Sequence, residues 1–296
     1  MPLATNTARF VEDDSRSRLT LARVPLRHVH FLALVRELSA DAQLRQALQV
    51  PGTALLGVAT DGVPLMIRLA SPDVTHVLIS GMKASGKTEA LRTMLASIAL
   101  YQKPHDIQFS VFDPKGNAFE FLANTPHLLA AVATTSERAL QQLRWLENEL
   151  ERREQENIVR PRLVVAVDEF EEWLAHGGRE FQVHLARLAQ RGRGVGISLL
   201  LCTNKGNNTE RNAPLRANFP VRLVGKSSGA NDEGQKLGGR GDFILMAGSE
   251  PVRFQAAYFS AQAESAFQTQ LRENRSRASN ADNTLGSLVR RLRRVK

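Results

Sequence analysis

Val74-Thr-His-Val-Leu-Ile-Ser-Gly-Met-Lys-Ala-Ser-Gly-Lys-Thr88 is the stretch that decides the fold. Its first half, Val74 to Ser80, is an apolar run that reads as a strand. Its second half fits GxxxxGK followed by Ser or Thr at every fixed position, and a helix-period segment, Glu89 to Leu100, leaves it. Strand, glycine-containing loop and helix in that order form a phosphate-binding loop. Gly81 and Gly86 let the backbone wrap closely around phosphates, and the amides point inward at the positive end of the helix dipole. The expected ATP-binding set is Gly81, Met82, Lys83, Ala84, Ser85, Gly86, Lys87, Thr88 and Glu89. Lys87 is expected to reach the β and γ phosphates, and the Thr88 hydroxyl to bind Mg²⁺.

Such a loop needs an acidic partner at the end of a neighbouring strand. Arg162-Leu-Val-Val-Ala-Val-Asp-Glu169 supplies an unbroken apolar run that ends in two carboxylates. A continuous apolar run suits a central parallel strand covered on both faces, with its carboxyl end beside the phosphates. Asp168 is then the second Mg²⁺ ligand, and Glu169 the group that orients the attacking water. The gap between Thr88 and Asp168 leaves room for a βαβ crossover and a further helix, an order typical of the RecA-like branch of P-loop proteins.

Working outward, the apolar runs Ile107 to Asp113 and Ile197 to Thr203 alternate with helix-period segments, which predicts an α/β fold. It is expected to be RecA-like, with a mainly parallel central sheet flanked by helices and a small N-terminal extension. The clearest helix is Ser136 to Gln155, where Leu140, Leu143, Leu146 and Leu150 make one stripe. A short strand from Leu19 onward and then a helix over Val29 to Leu48 are expected before the Pro51-Gly52 break. The late runs Asn218 to Val224, Phe243 to Ala247 and Val252 to Phe259 are expected to complete the sheet or add an edge. The expected organisation is a flexible tail over 1–18, the extension over 19–54, the P-loop ATPase domain over 55–260, and a polar linker with a basic tail over 261–296.

Composition narrows the function classes. The chain of 296 residues carries 39 Lys plus Arg against 30 Asp plus Glu, a net charge of +9 that favours a polyanionic partner. One cysteine, Cys202, lies in an apolar run, which excludes a disulfide framework and a cysteine metal cluster and predicts a buried, inert thiol. No stretch approaches about 18 uninterrupted apolar residues and no signal segment opens the chain, so no membrane segment and a cytoplasmic location are expected.

Several boxes, in fixed order, resemble the motor of the FtsK/SpoIIIE family. Leu56-Gly57 with Asp61-Gly-Val-Pro64 resembles LGxDxxGxP, and His76 to Thr88 resembles HLLVAGxTGSGKS. Phe112-Asp-Pro-Lys115 resembles the IDPK box, Pro126-His-Leu-Leu129 the PHLL segment, Arg144-Trp145 the LRW segment and Val167-Asp-Glu-Phe170 the VDEF box. Leu185 to Gln190 with Arg193 and Gly196-Ile197 resembles IARIAQKARAAGIHL, and Gly241-Asp242 with Glu250-Pro-Val-Arg253 and Gln255 resembles GDML...EPxRxQ. The resemblance implies an ATP-driven translocase of double-stranded DNA without base specificity, acting as a homo-oligomeric, hexameric ring with Mg-ATP at the subunit interfaces. It implies that Arg193, close to Arg187 and Arg191, is an arginine finger reaching the neighbouring subunit's nucleotide.

The sequence departs from that pattern in places. Asn204 stands where the family has the Gln that senses the γ phosphate, one methylene shorter. Lys205 occupies the place of a basic residue facing DNA, and Lys226 is a second DNA contact to set beside it, with Arg211, Arg216 and Arg240. The family's SSKxDSR-like segment reads Ser227 to Glu233 here and has lost its positive charges. The stretch after Ser260 is too short for a helical-triplet DNA reader, so a reduced motor lacking membrane anchor and sequence reader is expected. Two rivals stay open: a related ring ATPase driving protein secretion, and a nucleotide-regulated adaptor with little hydrolysis.

Overall fold

The computed structural model describes residues 9–10, 28–204, 218–228, 233–248 and 250–273. Among these residues the apolar runs assemble into a ten-stranded sheet of order β1-β3-β2-β10-β9-β8-β4-β7-β6-β5. The strands are β1 Arg9–Phe10, β2 Thr53–Ala59, β3 Pro64–Arg68, β4 Val77–Ser80, β5 Ile107–Phe112, β6 Arg162–Val167, β7 Ile197–Thr203, β8 Val221–Val224, β9 Asp242–Met246 and β10 Val252–Ala256. The block β8-β4-β7-β6-β5 is parallel throughout. Every residue of β7 is buried, as a strand covered on both faces requires.

Helices α4 (Ser136–Glu156) and α5 (Phe170–Arg191) pack together over the face that carries Leu163, Val165 and Val167. In α4 the expected stripe is real: Leu143, Leu146 and Leu150 are fully buried and Leu140 packs at their edge. Helix α3 (Lys87–Tyr101) contacts β2, β7 and β10, with Leu91, Met94, Leu95 and Ile98 wholly buried. Helix α5 is interrupted at Gly178, where φ 60 and ψ −153 leave helical geometry.

Two features differ from the sequence expectation, and a third settles a choice that it left open. The helix read over Val29 to Leu48 is two helices, α1 (Phe31–Ala40) and α2 (Ala42–Gln49). Asp41 breaks it: its carboxylate accepts from Gln43 N at 2.8 Å and Leu44 N at 3.1 Å, capping α2 and stopping α1. Arg9–Phe10, inside the tail read as flexible, pairs in parallel with Leu65 and Met66, while the strand expected just after Leu19 falls at 19–27, outside the described residues. The last strand is not an edge. Strand β10 lies between β2 and β9, antiparallel to both, so four antiparallel pairings extend the parallel block. Gly57 permits that insertion, because a Cβ there would meet Gln255 O at 2.0 Å.

The sheet and its helices form one unit, Met1–Phe259, and Ser260–Lys296 form another. Within the second, a helix covers 261–273, and the Ser260 hydroxyl accepts from Ala263 N at 3.2 Å at its start.

Candidate functional site: a phosphate loop facing two acids

Strand β4 runs between β7 and β8, so its carboxyl end opens in the middle of the parallel block. There the loop is held by backbone bonds from three sides. Gly81 N donates to Thr203 O at 3.2 Å, Met82 N to Lys226 O at 2.7 Å, Arg240 N to Ala84 O at 3.1 Å and Gly241 N to Ser85 O at 2.8 Å. The wall is so close at Gly86, which sits at φ 102, that a Cβ would meet Gly241 N at 2.6 Å. Gly86 is also the N-cap of α3 and offers no side-chain cap, leaving the first-turn amides open to an anion. Lys87 is buried, and its ammonium donates to Gly81 O at 2.9 Å and Met82 O at 3.1 Å, spanning the loop it is expected to share with phosphate. Met82, Lys83 and Ala84 form the exposed rim.

Facing the loop, β6 delivers Asp168 and Glu169. Asp168 is anchored by its N to Phe112 O at 3.0 Å and by Trp173 Nε1 donating to its carbonyl at 3.0 Å. Its Oδ2 accepts from Thr88 Oγ1 at 2.8 Å, while its buried Oδ1 has no hydrogen-bond partner among the described residues. Burial raises its pKa, Thr88 opposes this, and the charges of Glu169 and Asp113 add to it. Among the described residues no three His, Cys, Asp or Glu side chains cluster as a self-contained metal site. A hydroxyl beside an orphaned carboxylate oxygen is the hard-oxygen pair that fits Mg²⁺, whose other ligands come from phosphates and water.

Glu169 adopts a left-handed conformation, φ 48 and ψ 53, as the N-cap residue of α5. Lys115 Nζ donates to its Oε1, and Asn204 Nδ2 to its Oε2 at 2.7 Å. Burial would raise its pKa, but the bonds from Lys115 and Asn204 and the lysine charges outweigh it, so the carboxyl sits below its ordinary value. Asn204, which stands at the family's γ-phosphate sensor position, donates here to the acid, and its own N–H donates to Glu171 at 3.0 Å. Lys115 and Glu171 are the site residues that the sequence reading missed. The Asp-Pro-Lys box at the end of a strand was the available signal for Lys115, but only the sheet order puts β5 beside β6.

The remaining expected residues scatter. Glu89, in the first turn of α3, is tied to Arg92 at 3.3 Å; burial raises its pKa and Arg92 opposes. Lys226 stands at the phosphate loop, its carbonyl bonded to Met82 and its side chain half-buried near Gly239. Lys205, Arg211 and Arg216 lie outside the described residues. Cys202 is buried, and burial pushes its thiol up.

Arg193 lies in the turn Gly192–Val195 that enters β7. Since β7 runs parallel to β4 with Thr203 beside Ser80, Arg193 is at the opposite end of the sheet from its own phosphate loop. The seven residues of β7 separate the two by about 20 Å. Of the three arginines here, Arg187 pairs with Glu147 and Arg191 with Glu154, both on α4. Arg193 is exposed and makes no ion pair among the described residues. The Arg193 charge also bears on buried His76, whose pKa is lowered to about 4, mostly by burial, with the Ala189 backbone opposing.

Comparison with known proteins agrees with this geometry. Residues 36–159 match the family model described as FtsK/SpoIIIE family. The DNA translocase FtsK of Treponema pallidum is 30% identical over 238 residues, 70% of this chain and 30% of that protein. That of Borreliella burgdorferi is 27% identical over 258 residues, 77% of this chain and 32% of that protein. The chain therefore spans about a third of the length of these relatives. Among solved structures, the cytoplasmic domain of the Thermomonospora curvata type VII secretion ATPase EccC superposes with TM-score 0.68 at 21% identity, covering 84% of this chain and 34% of that one. The pCW3 conjugation coupling protein TcpA, in its monomer form with ATPgS, gives 0.64 at 20% identity, covering 77% and 72%. Both share the P-loop ATPase fold. Among the described residues no helix is long and apolar enough to cross a membrane. The family boxes fall on the loop, the acids and the walls around them, and the match over residues 36–159 together with the FtsK relatives supports placing this chain with the FtsK/SpoIIIE family.

Proposed function

We propose that the chain hydrolyses Mg-ATP and couples the hydrolysis to movement along double-stranded DNA, as a ring of identical subunits. One observation carries the hydrolytic part: the Thr88–Asp168 bond of 2.8 Å closes the phosphate loop onto the acidic strand, with Glu169 next in the chain. In that arrangement Lys87 exchanges its bonds to Gly81 O and Met82 O for phosphate oxygens. Thr88 and Asp168 would hold Mg²⁺, which supplies charge neutralisation at the β and γ phosphates. Glu169 accepts a hydrogen bond from water and takes its proton as oxygen attacks the γ phosphorus; the bridging oxygen leaves with ADP.

The position of Arg193 supports a shared site. It is too far from its own loop to stabilise the transferred phosphoryl group and is free to serve a neighbour's, which calls for assembly into a ring. The DNA part is supported by the sequence relatives named above and by the net charge of +9, with contacts to phosphates rather than base edges. Turnover measured with and without duplex DNA tests the whole reading. Stimulation by DNA, abolished in Lys87→Ala, is expected; an ATPase indifferent to duplex at low salt would move the assignment to the protein-secretion rival.

A further inference from the structure

Both carboxylate oxygens of Glu169 already carry a donor: Oε1 accepts from Lys115 and Oε2 from Asn204, so a water to be oriented by this acid competes with an ammonium on one oxygen and an amide on the other. Lys115 does not reach Glu169 by chance of a loose surface side chain. Its turn is built by Asp113, which is buried and accepts from Lys115 N at 3.0 Å and Ala118 N at 2.9 Å, with Gly116 N on Asp113 O at 3.2 Å. Gly116, at φ 72, lets the chain turn there. The β5–β6 register pairs Phe112 with Val167, so this turn leaves the sheet directly beside the acids.

We propose that Lys115 is a positioning residue that withholds Glu169 from the attacking water until the ammonium is drawn away. This rests on the reading of Glu169 as the water-orienting acid. The device is releasable because the Lys115 side chain is 54% exposed, and an ion pair in contact with water is weak. The Asn204 bond from the neighbouring strand end then leaves one oxygen, Oε1, to accept from water.

The test uses the full chain under assembly conditions, at saturating ATP without DNA. Lys115→Met and Lys115→Gln are expected to raise turnover about fivefold, the gain from releasing one exposed pair, with KM for ATP unchanged. Lys115→Arg is expected to stay at the wild-type rate. The double variant Lys115→Met with Glu169→Gln is expected to match Glu169→Gln alone, since the lysine acts only through that acid. Turnover of Lys115→Met at or below wild type overturns the proposal, as does a gain that persists when Glu169 is Gln. If the wild type hydrolyses no ATP, the hydrolytic reading itself falls and takes this one with it, a result distinct from an active wild type with an unresponsive Lys115.

Discussion

At the scale of single residues, the site is a set of groups whose neighbours decide their charge. Glu169→Gln keeps the shape and the Asn204 contact but cannot take a proton, so turnover is expected to fall about 10²- to 10³-fold while nucleotide binding persists. A stopped turnover with an intact nucleotide-binding isotherm checks this. His76 makes a second prediction. Its Nδ1 accepts from Leu199 N at 3.0 Å, so the folded ring is neutral, and its pKa of about 4 lies below the ordinary histidine value of 6.5. Between those values the unfolded chain binds the extra proton. The contribution to stability is therefore full above pH 6.5 and is lost as pH falls toward 4, by about 3 kcal/mol in all. Urea midpoints across that window are expected to fall less steeply in His76→Gln.

The phosphate loop and the acid pair were legible because their chemistry is local: eight consecutive residues make one site and two make the other. Lys115 was not legible, because its meeting with Glu169 depends on which strand lies beside β6. Asn204 was found in the sequence, but its bond to Glu169 was not, since a side chain's partner in one conformation is set by packing and not by its place in a motif.

At the scale of elements, strength of pattern decided success. The α4 stripe and the mostly apolar β6 and β7 were plain. The α1–α2 break was missed because the apolar spacing runs on across it and only the capping carboxylate interrupts the helix. Asp41→Ala is expected to cost about 1 kcal/mol of stability, read as a lower denaturation midpoint with unchanged slope. Gly178 offers a sharper case. A Cβ there would meet nothing within 4 Å, so Gly178→Ala loses no packing, yet φ 60 with ψ −153 is a region open essentially only to glycine. A loss of about 1 to 3 kcal/mol is expected from backbone strain alone, by the same measurement.

At the scale of the molecule, the alternation of strands and helices gave the parallel block, while the place of β10 escaped because it depends on one antiparallel pairing between residues far apart in the chain, Ala59 with Phe254. The separation of Arg193 from its own loop makes a prediction about assembly. Arg193→Ala and Glu169→Gln are each expected to be inactive alone, and mixing them is expected to restore activity at about a quarter of interfaces, where an intact acid faces an intact arginine. No recovery on mixing would place the arginine outside the shared site.

The wall of the phosphate loop has a consequence for how the protein is made. The loop at 81–88 leaves the ribosome before its supports, because the backbone that holds it comes from Thr203, Lys226, Arg240 and Gly241, and Gly241 in turn is bonded through its carbonyl to Ala256 N at 2.7 Å. While Thr88 to Gly241 are being added, a nascent chain therefore carries its nucleotide motif without the frame that shapes it, and becomes competent for ATP only when β10 threads between two strands already made. Chains arrested before residue 241 are expected to be translated in full view of cellular ATP and to retain none of it.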